Sequence, residues 1–456
     1  MAKLRVKNFG PIKEGFSEND GFMEITPVTV ICGNQATGKS TIAKLYSTFV
    51  WLEKALKSEK IQKEELTYDE FANNYLAYHC IKSYLTASSE IDCILDSYEF
   101  HISQKTIDTI KREDGRYVKP KIAYIPAERN FCSALPKPNA IAGVLKNLFE
   151  TIGDFDVARE ARDGKKYKLP IGDYYYRYDE GTNRSYISDT KSNYEIELYE
   201  AASGIQSVVP LSLISRYYSN FIDYTLNGKR QQFSLDEKKQ VEKKYNELSE
   251  TLGTGLLASI LSQNAAKDSS KFFSLIALTS AFKAFGLYNS VTEKKELLQN
   301  LEKGKMAVLQ KANDELLSII TSRFINIVEE PEQNLYPESQ RKVLFELLEC
   351  MNTNEHNQLM ITTHSPYMLS YLTQCAKAAE LLEKGVPSDR IEKIVPVKSA
   401  VPGEKISIYE TKEDGSIALL KPYENLPSDE NLLNIALADG NERFSQLLDL
   451  EVAFCK

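Results

Sequence analysis

At 456 residues the chain has room for two or three domains, or for one domain carrying large insertions. Its 42% hydrophobic and 26% charged residues are those of an ordinary soluble globular protein, and its net charge of −8 argues against a mainly electrostatic grip on nucleic acid, though not against a local basic groove. Seven scattered cysteines, with no C-x-x-C pair and no ligand-like spacing to the four histidines, argue against a disulfide or zinc framework and suit reduced thiols in a cytosolic protein.

In chain order, Lys3 to Phe9 alternates polar and apolar residues and predicts a strand, followed by a turn at Gly10-Pro11-Ile12. A second strand is expected from Phe22 to Thr26. The apolar, β-branched run Val28-Thr29-Val30-Ile31-Cys32 predicts a buried strand, and Ile42, Leu45, Phe49 and Leu52 then fall on one helical face. The composition stays helical from Phe49 to about Arg112, with Leu56, Tyr75, Tyr78, Ile81 and Leu85 among its apolar positions. Lys121 to Pro126 reads as a short strand ending in Ala127-Glu128-Arg129-Asn130, and the polar, tyrosine-rich segment from about 160 to 200 suits short antiparallel strands. From about 211 to 318 the chain is at its most helical. Leu235, Val241, Tyr245, Leu248 and Leu252 mark one amphipathic stretch, and Leu297, Leu298, Leu301 and Leu309 another; both are too short for a sustained coiled coil. Phe324 to Val328, a helical stripe of Val343, Leu344, Leu347, Leu348 and Met351, and Gln358 to Thr363 make a strand–helix–strand unit, hence a crossover in a parallel sheet. Lys405 to Tyr409 and Ser416 to Leu420 flank Asp414-Gly415, a hairpin signal, and the last thirty or so residues are helical. With no signal peptide and no apolar run of about 18 residues, the chain is expected to stay clear of membranes.

Gly33-Asn34-Gln35-Ala36-Thr37-Gly38-Lys39-Ser40-Thr41 fits G-x-x-x-x-G-K-[ST] between the buried strand and the helix. Strand, glycine-rich loop and helix together let backbone N–H groups wrap a phosphate chain at the positive end of the helix. Gly33, Asn34, Gly38, Lys39, Ser40 and Thr41 are therefore the expected nucleotide-binding residues, with Lys39 reaching the β- and γ-phosphates and the Ser40 hydroxyl ligating Mg²⁺. The apolar strand ending in Glu329-Glu330 supplies what such a loop needs opposite it. Glu329 would hold Mg²⁺, directly or through water, and Glu330 would polarise the attacking water as the catalytic base. Paired acids at a strand end can also simply open a turn, but the loop before and the strand after favour the chemical role. His364, just past the next strand, is the second catalytic candidate, placed to hydrogen-bond the γ-phosphate and the water beside it. A lone histidine is more commonly an ordinary surface or core residue. Ser203-Gly204-Ile205-Gln206 can present another helix N-terminus and a hydroxyl to phosphate, with a plain turn and cap as the alternative.

Together these motifs resemble the ABC-type ATPases, and within them the branch that holds the SMC proteins, the DNA-repair ABC ATPases and the OLD family. Gly33 to Ser40 matches Walker A, and Phe324 to Glu330 matches Walker B, with Glu329 where many relatives carry aspartate. Glu329-Glu330-Pro331-Glu332 followed by Leu335-Tyr336-Pro337 is similar to the Walker B and D-loop of OLD-type proteins, and Thr363-His364-Ser365-Pro366 to their switch-histidine segment. Ser203, Gly204 and Gln206 would belong to the signature motif, without the leading leucine of transporters. Ile125 to Arg129 stands where the Q-loop is expected but has no glutamine, which leaves its role open. The resemblance covers roughly residues 1–60 and 320–370. It implies an α/β fold, a P-loop NTPase of ABC type whose mixed sheet is flanked by helices, with a helical insertion; the division is 1–210, 211–318 and 319–456. It also implies ATP and Mg²⁺ as cofactors. In this family the signature of one subunit closes on the Walker A nucleotide of another, so the resemblance implies composite sites and a homo-oligomer, at least a dimer.

Two departures refine that picture. About 110 residues separate the signature from Walker B, where transporters have a short spacer and SMC proteins insert their coiled coil earlier, so the 211–318 block is a candidate partner- or oligomer-binding device. Only about 90 residues follow His364, with no Asp-x-Asp among them, whereas OLD nucleases carry a C-terminal TOPRIM domain. The chain thus resembles the stand-alone ATPases of bacterial antiphage systems: AriA-type ATPases of PARIS systems first, Septu-like or retron-associated ATPases second. This resemblance implies a sensor and scaffold that holds a separate, TOPRIM-type nuclease effector until a phage-encoded trigger protein is met. The alternative is an SMC- or repair-like ATPase acting directly on DNA, disfavoured by the acidic balance and the lack of a long coiled coil. A P-loop kinase or GTPase is disfavoured by the separation of Lys39 from Glu330 and the absence of an Asn-Lys-x-Asp motif.

Overall fold

Alternation at the N-terminus produces strand β1 (Ala2–Lys7), which buries Leu4 and Val6 on one face. The computed structural model describes residues 2–113, 116–134, 146–162, 164–191, 194–226, 235–252, 317–428 and 430–454. After β1 come β2 (Gly15–Phe16), β3 (Met23–Ile25), the fully buried β4 (Val28–Gly33) and helix α1 (Lys39–Lys57). Three strands follow, β5 (Glu90–Ile94), β6 (Tyr98–Ser103) and β7 (Thr106–Lys111), then β8 (Pro120–Ile125) and helix α2 (Lys146–Glu160). β9 (Tyr167–Lys168), β10 (Tyr174–Asp179), β11 (Arg184–Asp189) and β12 (Tyr194–Glu197) lead to helices α3 (Ser203–Leu226) and α4 (Leu235–Leu252). The C-terminal part runs β13 (Arg323–Glu329), α5 (Pro337–Asn352), β14 (Gln358–Thr363), α6 (Pro366–Glu383), β15 (Ile406–Thr411), β16 (Ser416–Leu419) and α7 (Leu432–Phe454).

The strands form three sheets. The central one has seven strands in the order β2-β16-β15-β4-β14-β13-β8, with β4 parallel to both β14 and β15, β13 parallel to β14, and β15 antiparallel to β16. A five-stranded antiparallel sheet, β3-β1-β5-β6-β7, forms a second layer, and β9 to β12 make a small antiparallel sheet that buries Tyr176, Tyr178 and Ile187. Helix α1 lies between the first two sheets: Ile42, Leu45, Phe49 and Leu52 are fully buried, Phe49 packs on Phe100 of β6 at 5.4 Å, and the Tyr46 hydroxyl donates to Gln358 of β14. The Tyr409 side chain ties the sheets again, accepting from the Glu24 amide at 2.7 Å. The structure thus has a mixed sheet with flanking helices, the α/β class of P-loop NTPases.

The stretch from Phe49 to Arg112 corrects a sequence expectation. Helix α1 ends at Lys57 and helical turns return between Tyr68 and Leu76, but Glu90–Ile94, Tyr98–Ser103 and Thr106–Lys111 are strands, with Tyr98, Phe100 and Ile102 buried at period two. The apolar positions that suggest a helix stop at Leu85.

The chain divides into two compact units, one of Met1–Glu113, Ile122–Tyr217 and Ile325–Lys456, the other of Asp114–Lys121 and Tyr218–Phe324. Within the second unit the Lys119 amide donates to the Leu317 carbonyl at 2.9 Å, the Lys121 ammonium lies 4.3 Å from the centre of the Tyr218 ring, and α4 buries Val241. The expected helix around Leu297, Leu298, Leu301 and Leu309 lies outside the described residues. Helix α7, in the first unit, buries no residue, and Ile435, Leu437, Phe444, Leu447, Leu450, Val452 and Phe454 are all exposed. Among the described residues no helix is long and apolar enough to cross a membrane.

Candidate nucleotide site

The phosphate loop is set by the strand before it and the helix after it. Strand β4 is hydrogen-bonded on both sides, to β14 and β15, and delivers Gly33 at its C-terminal end. Gly33 has φ +143°, and a Cβ there would stand 2.3 Å from the Thr411 carbonyl oxygen of β15, so only glycine fits against that wall. The same wall supplies the Thr411 hydroxyl, 2.6 Å from that of Thr37, and Glu413, which accepts from Asn34 Nδ2 at 2.8 Å. Gly38, with φ +104°, turns the chain into α1, whose first residue is Lys39. The buried Lys39 ammonium donates to the carbonyls of Gly33 at 3.0 Å and Asn34 at 2.6 Å. Burial lowers its pKa, while the nearby carboxylates of Glu330, Glu332 and Glu329 act in the opposite direction. Thr41 is buried in the first turn of α1, and Ser40 is partly exposed beside it.

The acids reach this loop from the neighbouring strands. In the register of the sheet Glu329 stands opposite Thr362, and Thr362 opposite Ile31, so the ends of β13, β14 and β4 are level. The three acids of Glu329-Glu330-Pro331-Glu332 then take different partners. Glu329 is buried and turned towards β8: it accepts from the Tyr124 hydroxyl at 2.5 Å and from the Ala127 amide at 3.3 Å. Glu330 has φ +43°, a left-handed backbone uncommon for glutamate, and its Oε1 lies 3.5 Å from Nδ1 of His364. Glu332 is buried, and its Oε1 accepts from the Thr363 hydroxyl at 2.7 Å and the His364 amide at 2.9 Å, while Oε2 has no partner. The imidazole of His364 holds Glu330 below the ordinary carboxylate value of 4.5, and the Glu330 carboxylate raises His364 above 6.5.

Ser203, Gly204 and Gln206 form the first turn of α3. The Gln206 amide folds back on the preceding turn, donating to the Tyr199 carbonyl at 2.8 Å, and Gly204 abuts the turn after β13. Among the described residues no hydrogen bond runs from Ser203–Gln206 to the phosphate loop of the same chain.

Arg129, in the segment whose role the sequence leaves open, is fully buried. Its guanidinium donates to four backbone carbonyls: Pro126 at 3.3 Å, Ser207 at 3.1 Å, Glu329 at 2.7 Å and Glu330 at 2.8 Å. Burial lowers its pKa to about 10, which leaves it charged at neutral pH, with the carboxylates of Glu332, Glu330 and Glu329 opposing the drop. Nothing periodic points to such a residue; the one available signal is an arginine in a Pro-Ala-Glu-Arg turn directly after a strand.

The donor chemistry fits a hard divalent ion that arrives with phosphate. The Ser40 hydroxyl and the carboxylates around Lys39 are all oxygen donors, and the Glu332 Oε2 atom is buried without a partner. Among the described residues no group of three or more His, Cys, Asp or Glu side chains is placed to hold a metal ion by itself.

Residues 323–370, from β13 past His364 into the start of α6, match a family model described as "AAA domain, putative AbiEii toxin, Type IV TA system". No curated protein matches the sequence. Among solved structures, the SMC head domain from Thermotoga maritima is similar with 9% identity and a TM-score of 0.32, covering 92% of this chain and 98% of that one. The Smc head domain from Pyrococcus furiosus, with an extended coiled coil and bound to the C-terminal domain of ScpA, gives 10% identity and a TM-score of 0.28, covering 92% and 96%. The chain has the α/β mixed-sheet fold of P-loop NTPases, and its residues 323–370 match a family model of AAA-domain type.

Proposed function

We propose that the protein is an ATP hydrolase whose nucleotide state sets the assembly of a bacterial antiphage defence complex. The observation that carries the first half is the meeting of Lys39, Glu330 and His364 at the level ends of three adjacent parallel strands. ATP would lie along the loop from Gly33 to Thr41, with Asn34 and Gly38 contributing backbone and Lys39 neutralising the β- and γ-phosphates. Mg²⁺ bound with it would polarise the γ-phosphate. Ser40 would ligate the ion, and Glu329, its carboxylate oriented by Tyr124 and the Ala127 amide, would hold it directly or through water. Glu330, held ionised by His364, would orient the attacking water and take its proton, and His364 would hydrogen-bond the γ-phosphate oxygens.

Ser203, Gly204 and Gln206 would serve the nucleotide of a second subunit, since no hydrogen bond runs from them to their own chain's loop among the described residues. That makes a homo-oligomer part of the reading. Residues 1–210 and 319–456 would form the ATPase, and 211–318 the device that engages partners. The matched family's description as an AAA domain of a "putative AbiEii toxin" in a type IV toxin–antitoxin system supports a defence role. In this reading the ATPase holds a separate nuclease, of TOPRIM type, until a phage protein triggers release, as AriA-type ATPases would.

Glu330→Gln tests the enzyme. It should keep ATP binding, lose hydrolysis and accumulate the nucleotide-bound oligomer in a mass measurement; wild-type turnover would move the base elsewhere. Co-purification with the products of neighbouring genes tests the defence role. A stable complex with a small nuclease is expected, and salt-dependent binding of duplex DNA by the ATPase alone, with no such complex, would overturn the role in favour of a repair-like ATPase.

A further inference from the structure

Arg129 joins three segments that meet nowhere in sequence. Its own turn follows β8, Ser207 lies near the N-terminal end of α3, Glu329 ends β13 and Glu330 follows it. It is the largest fully buried side chain described, and all four of its hydrogen bonds go to backbone carbonyls rather than to a carboxylate. A buried guanidinium anchored this way fixes peptide planes, because its planar fork sets directions as well as distances.

The peptide it fixes is a strained one. Glu330 sits at φ +43°, and its carbonyl is held by Arg129 Nη2 while its amide donates to the Thr362 carbonyl at 2.9 Å. With both ends pinned, the side chain is aimed at His364. A second link runs parallel to the first. The Asn334 amide group donates to the Ser207 hydroxyl at 3.3 Å, and a Cβ on Gly204 would lie 2.7 Å from the Asn334 carbonyl oxygen, so helix and turn touch backbone to backbone.

We propose that Arg129 is a positioning residue: a rigid strut that locks the backbone of Glu330 to the first turn of α3, so that a shift of that turn re-aims the carboxylate. The inference rests on the ATPase reading above for its kinetic consequence, while the strut itself is a property of the nucleotide-free fold. A lysine at 129 keeps the charge but lacks the planar fork, and can reach fewer of the four carbonyls.

The test uses Arg129→Lys and, because Asn334 is exposed and its loss leaves no cavity, Asn334→Ala as a second variant. Arg129→Lys should lower kcat at least tenfold with KM within about twofold, and move the acid limb of the kcat–pH profile; Asn334→Ala should lower kcat about threefold. The two losses should combine non-additively in the double variant. In the nucleotide-free protein, exchange of the Glu330 amide should quicken at least tenfold in Arg129→Lys. Unchanged kcat, pH profile and amide exchange in both single variants would overturn the strut. If the wild type hydrolyses no ATP, the exchange measurement alone decides the strut, and the ATPase reading fails separately.

Discussion

Oε1 of Glu330 and Nδ1 of His364 form an ion pair at 3.5 Å, each residue closing a different parallel strand of the central sheet. The pair couples proton binding to the fold. His364 is raised by its partner, so its contribution is complete below 6.5 and is lost as pH rises through the higher folded value. Glu330 is lowered, so its contribution is complete above 4.5 and is lost as pH falls through the lower folded value. Stability from the pair therefore peaks between 4.5 and 6.5. His364→Gln should abolish the alkaline loss. The difference in melting temperature between pH 6 and pH 8.5 should shrink by only about 1 °C, because partly exposed pairs are worth ~0.5 kcal/mol. Its turnover should fall about 100-fold; an unchanged rate would remove His364 from the chemistry.

Lys39→Ala addresses the phosphate loop. The ammonium bridges the carbonyls of Gly33 and Asn34, so its loss removes both the charge that meets phosphate and a brace of the loop. ATP affinity should drop about 100-fold, near 3 kcal/mol, with hydrolysis undetectable. Calorimetric titration with a non-hydrolysable ATP analogue reads the first, and phosphate release the second.

Tyr124→Phe leaves the shape of the site intact but strips one donor from a buried carboxylate. Glu329 would then rely on the Ala127 amide. Equilibrium denaturation should report a loss of about 1–3 kcal/mol. A neutral outcome would mean that water replaces the tyrosine hydroxyl.

Deleting the chain from Ala436 onward removes only exposed helical side chains among those described. Thermal unfolding of the remainder should change by less than about 0.5 kcal/mol. A larger fall would show that α7 is packed against something in solution.

The candidate site is legible where local chemistry dictates structure. Gly33 and Lys39 follow from a loop that has to wrap an anion, and Glu330 and His364 from apolar strands that must end in polar groups. Two features escaped. Strands β5 to β7 were hidden because their alternation is short and lies among charged residues, which composition alone assigns to helix. Arg129 was hidden because its partners are backbone atoms, and carbonyls from Ser207 and Glu330 leave no trace in the identity of the residues that supply them. The different orientations of Glu329, Glu330 and Glu332 likewise depend on a left-handed backbone at Glu330 that no residue type announces.

The bond between Thr37 and Thr411, 374 residues apart, also bears on how the protein is made. Strand β4 has β14 and β15 for neighbours, and both are translated after it. At ribosomal speeds, roughly 20–75 s pass between synthesis of the loop and synthesis of its wall. Until β14 emerges, late in that interval, the apolar strand Val28–Gly33 has neither of its neighbours to pair with. Nascent chains are therefore obliged to keep it shielded, and an N-terminal fragment that contains the whole loop should be unable to grip a nucleotide.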